Sequence, residues 1–365
     1  GKRDILNVQG VAFLDKNGVP QVTHRHTRFD FNEMPNINYK LLNKKVLEQF
    51  GDNNYISALT SRGCPHRCAF CINVAVKENQ KWRAWPPKRM ADEVEHILKF
   101  GANKICFWDE NFFVSKKRVE EFLDEIERRN IEFQWVAEVR ADYFRKFVSD
   151  KLLKKIKKHG CRKLAMGAES GSPKMLDIYC KDIEVNDIHF AAQKCVSHQI
   201  QPNLSFMIGA PGEDKNDIGL TLLAIKKLYD ISDNVRILGP QLFRPYPGSS
   251  LYKECKESGW KEPSSLKEWA DRMLSDFKES DAFSSPWIGN PDMVNTVWFY
   301  SLFLCVDFKK LIKMFMEYCD IYRKSFLFKI IGSIGVVAII FMGRLRYKLN
   351  FHKFQYEIKL LKKYR

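Results

Sequence analysis

Between residues 55 and 243 the chain repeats one pattern: a short β-branched or aromatic run, then an amphipathic helical segment. The runs cover 55–60, Lys104–Trp108, Phe133–Val139, Lys163–Gly167, Asn203–Ile208 and Val235–Phe243. Helices are expected near 88–100, 115–129, 149–159, 184–198 and 213–230. Ser115 and Ser149 suit N-caps, and Ser172-Pro173 suits an N-cap followed by proline at the first helical position. Gly101 and Gly160 suit the residue just past a helix end. Val119, Phe122, Leu123 and Ile126 fall on one helical face, with charges on the other. Strands alternating with helices predict parallel βαβ units, hence an α/β barrel or an open sheet. Six units are too few to close an eightfold barrel. In α/β barrels the chemistry sits at the C-terminal ends of the strands, so functional residues are sought just after each strand.

The first strand leads into Cys64-Pro65-His66-Arg67-Cys68-Ala69-Phe70-Cys71, three thiols at C-x-x-x-C-x-x-C spacing on a loop. A structural zinc ion asks for four ligands, and no fourth Cys or His follows at finger spacing, although His66 inside the loop could complete a set. The other reading is an iron–sulfur cluster held by three thiolates, with one iron left open for a small molecule.

With an aromatic just before the last cysteine, this loop resembles the signature of the radical S-adenosylmethionine (SAM) family. The resemblance implies a partial (β/α)6 barrel and a 4Fe-4S cluster on Cys64, Cys68 and Cys71. It also implies that the open iron chelates SAM, and that one electron cleaves the sulfonium to a radical that abstracts hydrogen from an unactivated carbon. The other strand ends are similar to the family in the same order. Phe70 is expected near the adenine. Asp109-Glu110-Asn111 stands where a Gly-Gly-Glu motif is frequent and is closer to the cobalamin-linked branch; Asp109 or Glu110 is expected at the SAM amino group. Arg140, after the third strand, is expected at the SAM carboxylate, with Glu138 pairing with it or facing substrate. Gly167-Ala168-Glu169-Ser170-Gly171-Ser172 resembles the ribose motif, with Glu169 and Ser170 on the hydroxyls. Gly209, Pro211 and Gly212 resemble the glycine-rich segment beside adenine and methionine.

The expected organisation is a linker and hairpin region over 1–54, the barrel over 55–255 and a helical extension over 256–365. In the first region, Ile5–Phe13 and Val19–Thr23 are expected as strands around an Asn17-Gly18 turn. Residues 29–35 resemble the linker that joins a cobalamin domain to the barrel, and the start at Gly1 rather than Met leads us to expect sequence upstream. The cobalt-ligating D-x-H-x-x-G motif is not found; Asp187–Ala192 lacks its glycine, and His189 is expected to be an ordinary helical residue.

A net charge of +16 invites a polyanionic partner, against the plainer reading of solvated helix faces. Ten cysteines without framework spacing and no signal peptide lead us to expect the cytoplasm. Ile330–Gly343 is uncharged, and residues 344–365 carry eight Lys/Arg against the single acid Glu357. This suits either peripheral contact with an anionic membrane surface or a helix packed under the barrel. The function expected is radical modification of an unactivated carbon, with or without cobalamin, on a small-molecule or lipid substrate. An electron donor such as ferredoxin or flavodoxin is expected as partner. A tRNA-modifying methylthiotransferase and a non-catalytic metal protein binding nucleic acid stand as alternatives; the first is disfavoured because its cysteine-bearing and RNA-binding modules are not found, the second because the full set of SAM-site motifs is present.

Overall fold

The computed structural model describes residues 5–23, 30–41, 55–76, 80–274, 285–306, 308–321 and 326–353. A two-stranded antiparallel hairpin comes first, β1 (Ala12–Leu14) and β2 (Pro20–Val22). Its turn uses Gly18 at φ 75°, and the Asp15 carboxylate accepts the backbone N–H groups of Asn17 and Val19. The strand expected from Ile5 is shorter than read. Ile5–Asn7 forms a turn of 3-10 helix, because Ile5, Leu6 and Val8 are exposed and gain no sheet face to pack on.

β3 (Ile56–Ala58) leads to the short antiparallel pair β4 (Ser61–Arg62) and β5 (Arg83–Ala84), then helix α1 (Pro87–Lys99). The next units are β6 (Lys104–Phe107) and α2 (Lys116–Arg128), then β7 (Gln134–Glu138) with α3 (Tyr143–Lys146) and α4 (Asp150–Lys158). After them come β8 (Cys161–Glu169) with α5 (Pro173–Ile178) and α6 (Val185–Ser197), β9 (Gln201–Ile208) with α7 (Lys215–Ile231), and β10 (Arg236–Leu242) with α8 (Ser250–Glu257). β3 and β6 to β10 form one six-stranded parallel sheet in strict chain order, the wall of a partial barrel. The expected caps are present: Ser115, Ser149 and Ser172 accept from the backbone N–H groups of Arg118, Leu152 and Met175, and Gly101 and Gly160 take positive φ.

Alternation along each strand sorts the two faces. Ile105, Phe107, Trp135, Ala137, Leu164 and Met166 are buried under the helices, which return Met90, Ile97, Phe122, Leu123 and Ile156 to the same core. Lys104, Cys106, Gln134, Glu138 and Lys163 take the other parity and are only partly buried.

Helices α9 (Leu266–Leu274), α10 (Pro291–Cys305), α11 (Phe308–Ile321) and α12 (Phe326–Lys348) complete the described chain. α10 sends Met293, Val294, Val297 and Cys305 into the barrel's own core. α12 packs on α10 and α11 at close range: a Cβ on Gly343 would fall 2.5 Å from the Tyr300 ring, and one on Gly332 2.3 Å from Phe315. Its other face leaves Ile334, Val337, Phe341 and Leu345 exposed. Among the described residues no helix is long and apolar enough to cross a membrane. The basic tail beyond 353 lies outside the described residues.

Candidate active site

The cysteine loop leaves the end of β3 and is tied down on both sides. Asp109, at the end of β6, is 1% exposed and accepts from Thr60 N at 2.6 Å, Thr60 Oγ1 at 2.6 Å and Ser61 N at 2.8 Å. Behind it the buried Arg118 donates to Thr60 O and to Trp85 O, 3.9 Å from the Asp109 carboxylate. Burial pulls the Arg118 guanidinium down to about 10, with Asp109 opposing the fall. Glu110 is exposed and accepts from Gly63 N at 3.2 Å. Asp109 is thus committed to holding the loop entry, while Glu110 stands at the loop's edge.

The far side of the loop docks on residues 179–182. Ala69 N donates to Tyr179 O at 2.8 Å, Arg67 pairs with Asp182 at 2.9 Å, and Phe70 packs edge-on to Tyr179. Leu251 N donates to Ala69 O, which ties the loop to α8. Cys64 and Cys71 are half-buried and Cys68 is buried. Burial pushes the Cys64 and Cys71 thiols up, and each of them also feels Cys68. No three ligand side chains among the described residues close on a single ion. Three thiols on one loop at this spacing suit a cluster of several irons. His66, the candidate fourth zinc ligand, shares a 2.7 Å hydrogen bond with Tyr143 Oη, which also accepts from Asn111 Nδ2 at 3.0 Å. Burial, with Arg140 adding, holds the His66 imidazole at about 4, so it is neutral.

Two buried cations lie beside the cysteine loop. Arg140 donates through Nε to Asp142 at 3.0 Å and through Nη2 to Lys181 O, and its Nη1 lies 3.9 Å from Cys68 Sγ. Its carboxylate partner is therefore Asp142 rather than Glu138. Lys181 pairs with Glu169 at 2.8 Å and lies 5.7 Å from the Phe70 ring centroid. Burial works against the Lys181 ammonium, but Glu169 and Cys68 outweigh it and raise its pKa. Burial raises the Glu138 carboxyl too, against the pull of Lys181. Lys181 is the residue that reading the sequence missed. It follows a six-residue helix, outside every strand-end motif. The usable signal is conformational: Glu169, Cys180 and Asp182 hold φ of 63°, 46° and 54°, strain that non-glycine residues carry where the surroundings impose it.

The other expected residues lie at neighbouring strand ends. Ser170 is fully buried, its hydroxyl engaged with Thr221 Oγ1 and Ser172 N. Gly209 and Gly212 both take φ 80°, on either side of Pro211 in the turn after β9. Gly209 O accepts from Trp287 Nε1 at 2.8 Å, and Gly209 N donates to the Glu213 carboxylate. His189 lies on α6, its ring nitrogens 3.0 Å from Val185 O and 3.3 Å from Ala224 O, as an ordinary packed residue.

Residues 59–225 match the radical SAM superfamily. An uncharacterized methyltransferase of Pyrococcus horikoshii is 26% identical over 252 residues, 69% of this chain and 52% of that protein. The bacteriochlorophyllide d C-8(2)-methyltransferase of Chlorobaculum tepidum is 27% identical over 218 residues, 56% and 45% respectively. The chain thus spans about half the length of the curated relatives it matches. The fold resembles the cobalamin-dependent S-adenosylmethionine radical enzyme OxsB with aqua-cobalamin and S-adenosylmethionine bound, at a TM-score of 0.64 and 13% identity, covering 98% of this chain and 61% of that one. It also resembles the radical S-adenosylmethionine methyltransferase TsrM of Kitasatospora setae, at a TM-score of 0.56 and 17% identity over 72% of this chain and 51% of that one.

Proposed function

We propose that this chain is a radical SAM enzyme that modifies an unactivated carbon of a small molecule, by methyl transfer or ring closure; the match of residues 59–225 to the radical SAM superfamily supports this reading. The observation that carries the reading is the arrangement of Cys64, Cys68 and Cys71 at the end of the first barrel strand, with Arg140 3.9 Å from Cys68 Sγ and Lys181 5.7 Å from the ring of Phe70 on the same loop. Those thiolates would hold a 4Fe-4S cluster, which when bound would supply the single electron for reductive cleavage of SAM. The chain's own residues bind and orient. Glu110, at the loop edge, would take the SAM amino group, Arg140 and Lys181 would offer positive charge for its carboxylate, and Glu169, whose Oε1 is held by Lys181, would accept from the ribose hydroxyls. Phe70 supplies an aromatic edge for the adenine. Relatives that act on bacteriochlorophyllide d support a hydrophobic substrate, and a small ferredoxin- or flavodoxin-like protein suits the electron supply. Cobalamin belongs to the proposal as a second cofactor, since OxsB is described with aqua-cobalamin bound; His189, the nearest approach to a cobalt-ligating motif, is engaged by Val185 O on its own helix and Ala224 O on α7 and is not proposed as its ligand.

Anaerobic reconstitution tests the reading. The chain is expected to take up about four irons with matching sulfide, the content of a 4Fe-4S cluster. The variant with Cys64, Cys68 and Cys71 all changed to Ala is expected to stay colourless. Full iron retention in that variant would sink the assignment.

A further inference from the structure

The barrel has a second mouth, at the N-terminal ends of its strands, opposite the cysteines. A polar cavity of about 530 Å³ opens there, lined among the described residues by four cations, Lys104, Lys157, Arg162 and Lys163, with Tyr55 and a set of amide side chains, and by no acid. Lys104 opens β6 in register with Gln134, and Lys163 on β8 lies in register with Gln201. Strand parity turns Lys104 and Lys163 away from the helix-covered core, since their neighbours Ile105 and Leu164 are fully buried in it.

The side-chain cations of Lys104, Arg162 and Lys163 make no hydrogen bond or ion pair with any described residue; Lys157 donates to Gln199 O at 2.6 Å. Elsewhere the same helices pair their charges, as in Lys155 with Asp124 and Lys158 with Glu127. Glu127 and Glu132 line a neighbouring cleft that shares Gln134 and Arg162, and Glu127 is already taken by Lys158 and His159. Four like charges around one opening repel each other and give nothing to folding. A ligand of matching charge would neutralise them. A monocarboxylate would leave about three positive charges uncompensated, whereas a diphosphate carries about three negative charges and acceptor oxygens for the lysines, the Arg162 fork and the surrounding amides.

The geometry points to a binding site for the diphosphate group of a small molecule at this mouth, separate from the cluster site and independent of the function proposed above. The test is calorimetric titration of inorganic pyrophosphate into the full, cluster-loaded chain, with SAM in excess to cover the cluster. Saturable one-to-one binding is expected, weakened at least tenfold in a Lys104→Gln/Lys163→Gln variant and measurably in Arg162→Gln. Arg162 is exposed, so the second variant keeps the test valid should the first fold poorly. Both variants should retain wild-type iron content. ADP and farnesyl diphosphate, titrated in parallel, distinguish a nucleotide source from a lipid source by which of them outbinds pyrophosphate. Absence of saturable binding, or equal affinity in the wild type and both variants, would overturn the site.

Discussion

At the scale of single residues, the strand-end acids divide into those that build and those that bind. Asp109 builds: both its oxygens are occupied, and its loss would strand the buried Arg118 without a countercharge. Asp109→Ala should therefore destabilise the chain by about 3–5 kcal/mol in urea unfolding and lower the iron taken up. A change under about 0.5 kcal/mol, within the usual range for surface substitutions, would show the clamp to be idle. Glu213 poses a different problem. One oxygen accepts Gly209 N–H, while the other is buried without a partner, and burial pushes the carboxyl up to about 8 from 4.5. Between those values the native state holds a proton that the unfolded state has released, so stability should fall as pH rises from 4.5 to 8 and then level off. Glu213→Gln removes that slope. Relative to wild type the variant should gain at least about 1 kcal/mol between pH 5.5 and pH 8, since one pKa unit is worth about 1.4 kcal/mol. Parallel urea midpoints at the two pH values would refute the assignment.

At the scale of elements, α12 shows two faces with different needs. Gly332 and Gly343 let it approach α11 and α10 closely, and Ile340 is buried. Ile334, Val337, Phe341 and Leu345 remain in solvent, and every charge from 326 to 348 is basic. The sequence left two fates open for this segment. Half of the packed-helix reading is met, while the exposed face keeps contact with an anionic membrane surface as a proposal. Co-sedimentation with anionic liposomes at low salt should fall several-fold in Phe341→Glu, which removes an exposed ring and adds a repelled charge without touching the packed face. Equal sedimentation of the two proteins would leave α12 as a helix packed on the barrel.

At the scale of the whole molecule, the site draws on β3, β6, β7, β8 and the segment after α5, so ligand binding should stabilise the barrel as a unit. SAM at about 100 times its Kd should add about 2.7 kcal/mol to the stability of the cluster-loaded chain. In Glu169→Ala the affinity should fall by about 1–3 kcal/mol, the worth of a hydrogen bond to a charged group, and the thermal shift at fixed SAM should shrink accordingly. An unchanged shift in that variant would remove Glu169 from the SAM contacts.

The sequence by itself determined the order of six strands and their helices, the three thiols and the caps. These are local properties: periodicity, turn chemistry and spacing act within a few residues. Only the tertiary structure decided which acid is a clamp, that Arg140 pairs with Asp142, and that Lys181 reaches Glu169. It alone gathered Lys104, Lys157, Arg162 and Lys163 around one mouth. Those residues lie on separate strands and loops, and their meeting depends on the stagger of parallel strands and the curl of the sheet. Both are set by packing between elements distant in the chain, which leaves no short-range mark on the residues themselves.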